Sequence, residues 1–124
     1  MKLNKPKHNL YRNGMYAVEG FLDIVKNETS FKWQLLMLFV MGFVAWILPI
    51  KFVYSSILFL SLFLPVLSEV ANSAIERVVD LVTNEYHILA KQAKDAGATL
   101  VLLSLIVTVM IWTFTLIIAF KENM

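Results

Sequence analysis

The 124 residues contain no cysteine, so disulfides and thiolate metal sites are excluded. Glycine is sparse, and Gly14, Gly20, Gly42 and Gly97 are scattered, so no glycine-rich phosphate loop is present. The motifs of protein kinases are missing as well. Charged residues make up only 16% of the chain and the formal net charge is +2, which leaves no electrostatic footprint for nucleic acid. The basic start of the chain lacks an adjoining apolar core and a small-residue cleavage site, so no cleavable signal peptide is expected. Position 2 is Lys2, and there is no cysteine to prenylate, so no lipid anchor is expected either.

What is abundant is apolar surface. Hydrophobic residues form 59% of the sequence, and the mean hydropathy is +0.70. Three long apolar runs leave little material for a soluble core. The expected class is an all-α membrane protein of one domain, residues 1–124. It has three transmembrane helices and an N-terminal amphipathic interfacial helix. So short a chain is expected to need copies of itself to close a site.

Residues 1–12 are polar and basic, and Pro6 opposes a helix running from Met1; this segment is expected to rest on anionic headgroups. Over residues 13–31, Met15, Val18, Leu22 and Val25 recur at three- and four-residue steps, with Tyr16, Glu19, Asp23 and Lys26 on other faces. That pattern predicts a helix lying on the membrane. Spans are predicted at about 32–48, 52–82 with a cytoplasmic extension, and 96–120. Trp33 and Trp46 suit the interfaces of the first span, and Gly42 and Ala45 allow a close helix contact. Pro65 is expected to kink the second span one turn before Glu69. A short helix from Ile88 to Ala93 is expected to precede the third span, with Lys91, Lys94 and Asp95 at the membrane edge. Six basic side chains lie in residues 1–32, and Arg77, Lys91 and Lys94 lie between the last two spans, whereas the opposite side has Lys51 and Lys121. This bias puts the N-terminus in the cytoplasm and the C-terminus outside.

The second apolar run ends in Ser68-Glu69-Val70-Ala71-Asn72-Ser73-Ala74-Ile75-Glu76-Arg77-Val78-Val79-Asp80. At about 100° per residue, Glu69, Asn72, Glu76 and Asp80 share an arc of roughly 80°. Glu69 and Glu76 are then on the order of 10 Å apart along the axis. Carboxylates at that depth require pairing, protonation, a metal or access to water. On spacing alone two readings stand: rim charges that have left the bilayer, or a polar site where one carboxylate serves as a base and a shallower one meets a divalent cation.

Glu69-x-x-Asn72-Ser73-Ala74-Ile75-Glu76-x-x-Val79-Asp80, with Asn84-Glu85-Tyr86-His87 and Ala93-Lys94-Asp95, resembles the signature of the small bacterial diacylglycerol kinases and the related undecaprenol kinases. The likeness is dense over residues 69–97 and extends more weakly to Asn27-Glu28, Phe31, Tyr16 and Gly20. It implies a homotrimer in the bacterial inner (cytoplasmic) membrane, with active sites between subunits. It implies transfer of the ATP γ-phosphoryl group to diacylglycerol, giving phosphatidic acid and ADP. By position, the resemblance makes Glu69 the general base on the lipid hydroxyl, and makes Glu28 and Glu76 the ligands of Mg2+. It places Tyr16, Glu28, Glu76, Glu85, Tyr86, His87, Lys94 and Asp95 at the nucleotide, and Glu69, Asn72, Phe31 and Trp112 at the lipid. The sequence departs from the family where Asn9 stands for an arginine, with Arg12 a turn later. It departs again at Lys32-Trp33-Gln34, where relatives often carry a further carboxylate. Besides diacylglycerol kinase, the readings carried forward are undecaprenol kinase and a non-enzymatic membrane scaffold.

Overall fold

A computed structural model describes residues 9–124. It contains five helices: α1 (Leu10–Asn27), α2 (Thr29–Ile47), α3 (Phe52–Ser61), α4 (Phe63–Val82) and α5 (Ile88–Glu122). Helices α3 and α4 form one rod of 31 residues, Phe52–Val82; with α2 and α5 they make three helices long and apolar enough to cross a membrane. No strand occurs among the described residues. The lysines at 2, 5 and 7, Pro6 and His8 lie outside the described residues.

Helix α1 begins three residues before the expected position because Asn9 caps it, its side chain accepting from the Arg12 amide at 3.3 Å. Asn9 therefore does local backbone work as a helix cap. The expected helix over 13–31 divides at Glu28. That residue is extended (φ −112°, ψ 108°), and its amide closes α1 on the Ile24 carbonyl. Asn27 reinforces the stop by bonding back to the Asp23 carbonyl at 3.0 Å. Thr29, Ser30 and Phe31 thus open the first span. Phe31 is fully buried, packs with Ile24 and Val66, and meets Phe21 edge-on at 5.6 Å.

Outside this knot the usual arrangement is inverted. Phe39, Phe43, Leu60, Leu102 and Val109 are all exposed, which is the expected outer surface of helices solvated by lipid. Small residues let the spans approach: Gly42 faces the Phe59 ring, which a Cβ there would meet at 3.3 Å, and Ala45 is fully buried. The end of the bundle away from α1 is tied by Lys51 to Glu122 at 2.6 Å and by Asn123 to the Pro49 carbonyl at 3.3 Å.

The second rod breaks at Leu62, one turn ahead of the kink expected at Pro65. Proline has no N–H for the carbonyl four residues back, which is that of Ser61. Helix α5 repairs the loss: Thr108 Oγ1 donates to the Ser61 carbonyl at 3.2 Å, and Trp112 Nε1 donates to Ser61 Oγ at 3.1 Å. A further polar rung joins Ser104 Oγ to Ser68 Oγ at 2.6 Å. Helix α5 is continuous over 35 residues, so the short helix expected at 88–93 and the span expected from 96 are one element. Gly97 within it does not break it. At 1.5 Å per residue α5 is about 52 Å long, well beyond a hydrocarbon core of roughly 30 Å. Its first turns pack beside the end of α4, where Lys94 meets Asp80.

Replacing Thr108 by valine removes the donor to Ser61 while keeping the shape. It should lower stability in a reversible detergent-unfolding titration by about 1 kcal/mol. Thr113→Val is the control, since Thr113 bonds only to the Val109 carbonyl of its own helix; it should change stability by less than about 0.5 kcal/mol.

Candidate active site

Helix α4 carries the acidic stripe out of the bundle, and each member meets a different neighbour. Glu69 is deepest, with only 6% of its surface exposed. Its Oε1 accepts from Ser30 Oγ at 2.6 Å, so the first turn of α2 holds it. One turn outward, Asn72 is also buried and donates through Nδ2 to Glu76 Oε1 at 3.3 Å. Asn72 Oδ1 has no partner. It lies against Gly97 of α5, and a Cβ at residue 97 would fall well inside contact distance of that oxygen. The missing side chain of Gly97 is the space that Asn72 occupies.

Nearer the surface, ion pairs lock three helices together. Arg77 of α4 reaches both Asp23 of α1 and Glu28 at the α1–α2 junction, the latter at 3.4 Å. Lys94 of α5 pairs with Asp80 of α4 at 2.6 Å, and Lys91 pairs with Asp95 one turn along α5. The Arg77 guanidinium, through its hydrogen bond, holds the Asp23 carboxyl below its ordinary value of 3.8.

At the outer end of the stripe, α4, the connection and α5 border an open hollow of about 290 Å³, lined among others by Asp80, Glu85, Tyr86, His87, Lys94 and Asp95. Five residues predicted at the nucleotide, Glu85, Tyr86, His87, Lys94 and Asp95, therefore converge on one hollow. His87 also caps α5, its Nδ1 accepting from the Leu89 amide at 3.2 Å. Glu28 and Glu76 are not among the residues lining this hollow; they are bonded to Arg77 and Asn72 respectively. Tyr16 is on α1, partly exposed and away from the hollow's lining. Phe31 is in the core, with no exposed surface to offer a ligand within one chain. Trp112 lines a separate apolar groove of about 310 Å³ within the span region, together with Met41, Pro65 and Leu105. Among the described residues, no group of three or more His, Cys, Asp or Glu side chains forms a cluster able to hold a metal.

Three helices long and apolar enough to cross a membrane, with apolar outer faces, define the class as a polytopic membrane protein. The family model for prokaryotic diacylglycerol kinase matches residues 15–116. The diacylglycerol kinase of Escherichia coli is 34% identical over 101 residues, covering 82% of this chain and 83% of the relative. That of Pseudomonas aeruginosa is 32% identical over 102 residues, with coverage of 82% and 83%. That of Helicobacter pylori is 32% identical over 103 residues, with coverage of 83% and 80%. The chain belongs to the prokaryotic diacylglycerol kinase family and is a kinase.

Three residues that matter to this geometry carried no sequence signal for their roles. Ser30 and Gly97 act through contacts between distant segments, and Arg77 entered only through the charge bias, with no sign of its pairing with Asp23 and Glu28. The α1–α4 tie gives a pH expectation. Because the Asp23 pKa is depressed, its contribution is intact above the ordinary carboxylate range and is lost as pH falls through the lowered value. Spin labels on α1 and α4 should hold a constant separation from neutral pH down to about pH 4 and spread only below it. Gly97→Ala should displace Asn72 and destabilise the α4–α5 seam by about 1–3 kcal/mol, read in the same detergent-unfolding titration.

Proposed function

We propose that this protein transfers the γ-phosphoryl group of ATP to the primary hydroxyl of diacylglycerol, at the cytoplasmic face of the bacterial inner membrane. The observation that carries the reading is the depth order of one helix stripe. A buried Glu69 lies where a lipid hydroxyl arrives, and Asn72 and Glu76 lead outward toward an open hollow where a water-soluble nucleotide enters. The curated relatives named as diacylglycerol kinases support that acceptor.

In this reading Glu69 takes the proton of the acceptor hydroxyl as its oxygen attacks the γ-phosphorus. Lys94 and Lys91 border the nucleotide hollow as point charges, and Glu85, Tyr86, His87 and Asp95 frame it. Glu28 and Glu76 are the candidate ligands of Mg2+. That ion commonly takes one or two carboxylates and completes its shell with phosphate oxygens and water. Glu28, at the α1–α2 junction, and Glu76, on α4, carry the hard carboxylate oxygens that this ion prefers. Bound there, the ion would neutralise charge on the polyphosphate. To hold the metal, Glu28 would have to give up its pairing with Arg77.

Helix α1 lies on the cytoplasmic surface: Met15, Val18, Phe21 and Leu22 expose an apolar face on a helix that also bears Glu19, Asp23 and Lys26. The bias of lysine and arginine supports a cytoplasmic N-terminus and an external C-terminus. Homotrimer assembly belongs to the same reading and is supported by a hollow that a single chain leaves open.

The test is turnover by protein reconstituted in vesicles with ATP, Mg2+ and diacylglycerol. Glu69→Gln should lower kcat by on the order of 10²–10⁴-fold with nucleotide affinity little changed. Glu76→Gln should shift the Mg2+ titration to higher concentration. A larger kcat/KM for undecaprenol would replace the acceptor, and absence of transfer to both lipids would leave a scaffold.

A further inference from the structure

Glu69 has one polar partner, and it comes from a helix thirty-nine residues away in sequence. Ser30 is the second residue of α2, and its hydroxyl donates to Glu69 Oε1 at 2.6 Å. Among the described residues no other side chain bonds this carboxylate. The second oxygen, Oε2, is unpartnered yet not sealed, for the fully enclosed unpartnered side-chain atoms among the described residues are Asn72 Oδ1 and Ser73 Oγ. One oxygen is thus held and the other is left open.

Ser30 itself is held in place. The next residue, Phe31, is fully buried against Ile24 and Val66, with Phe21 against its ring edge. Two residues earlier, Glu28 breaks the backbone between α1 and α2. The hydroxyl is therefore fixed by a core residue on one side and a helix start on the other, and Val66, which touches that core, lies on α4 one turn before Glu69. A glutamate's terminal torsion is broad and roughly two-fold, so an unheld carboxylate would sweep several orientations. Catalysis by a base gains when that freedom is removed before the reaction.

We propose that Ser30 is the positioning residue of Glu69. Its hydroxyl fixes Oε1 so that Oε2 faces the acceptor hydroxyl and takes its proton. This rests on the reading of Glu69 as the base. Ser30 contributes no atom to the transfer: the acceptor oxygen forms the bond to phosphorus, the bond from phosphorus to the leaving ADP oxygen breaks, and the proton ends on Glu69.

The experiment compares wild type, Ser30→Ala, Ser30→Thr and Glu69→Gln as full-length protein in vesicles with MgATP and dioleoylglycerol. Ser30→Ala should lower kcat on the order of tenfold, the size expected for a lost hydrogen bond to a charged group. KM for MgATP should stay within about twofold, since nucleotide binding makes no use of this bond. Ser30→Thr keeps the hydroxyl and should recover most of the lost kcat. An infrared readout is independent of turnover: the carboxylate stretch of Glu69, isolated by subtracting the Glu69→Gln spectrum, should shift in Ser30→Ala and return in Ser30→Thr. A wild-type kcat in Ser30→Ala, an unshifted carboxylate band, or a lower acceptor KM with undiminished kcat would overturn the proposal, the last by showing that Ser30 obstructs the acceptor. Full activity in Glu69→Gln would overturn the reading of Glu69 as base and this proposal with it, a result distinct from a silent Ser30→Ala in an enzyme that needs Glu69.

Discussion

A carboxylate buried at the end of an apolar helix is tolerable only with a partner, and the contact between Ser30 and Glu69 is the constraint on which the site depends. It requires α2 to begin beside α4, which in turn requires α1 to end before Thr29. The extended backbone of Glu28, the Asn27 side chain folded back on Asp23, and the Phe31 knot all serve that one juxtaposition. Arg77 then ties the same junction to α4 from the outside, so the buried bond and the surface ion pairs close on each other.

The seam between α4 and α5 is built differently. Lipid tails give little hydrophobic reason for one apolar helix to prefer another, so small residues and hydrogen bonds decide the pairing. The rungs from Thr108 and Trp112 to Ser61, and from Ser104 to Ser68, are answered further out by Asn72 against Gly97 and by Asp80 with Lys94. These polar contacts run from the middle of the bilayer to the surface hollow. A defect introduced at Pro65 is thereby satisfied by the same helix whose outer turns frame the hollow. Stability in the bilayer and shape at its edge are coupled through one rigid rod, α5.

Charge is arranged so that function and fold share the same groups. In the proposed reading Glu28, bound here to Arg77, is also a ligand of the cation that accompanies nucleotide. A pair whose guanidinium is nearly half exposed contributes little to stability, so exchanging it costs little. In the same reading Lys94, half-exposed beside Asp80, turns toward the polyphosphate.

Much of this was legible from residues alone. Runs of apolar residues long enough to span hydrocarbon and carboxylates at helical spacing each depend on neighbours along one helix, so order in the chain suffices to read them. The stripe from Glu69 to Asp80 is of this kind, whereas the grouping of Glu85, Tyr86, His87, Lys94 and Asp95 was reached through the family resemblance. The tertiary structure alone decided that Ser30 meets Glu69, that Gly97 makes room for Asn72, that Phe31 is sealed in the core, and that the break falls at Leu62. Each of those follows from the packing of helices distant in sequence, and the spacing of residues along a helix carries no information about which face of which other helix will lie against it.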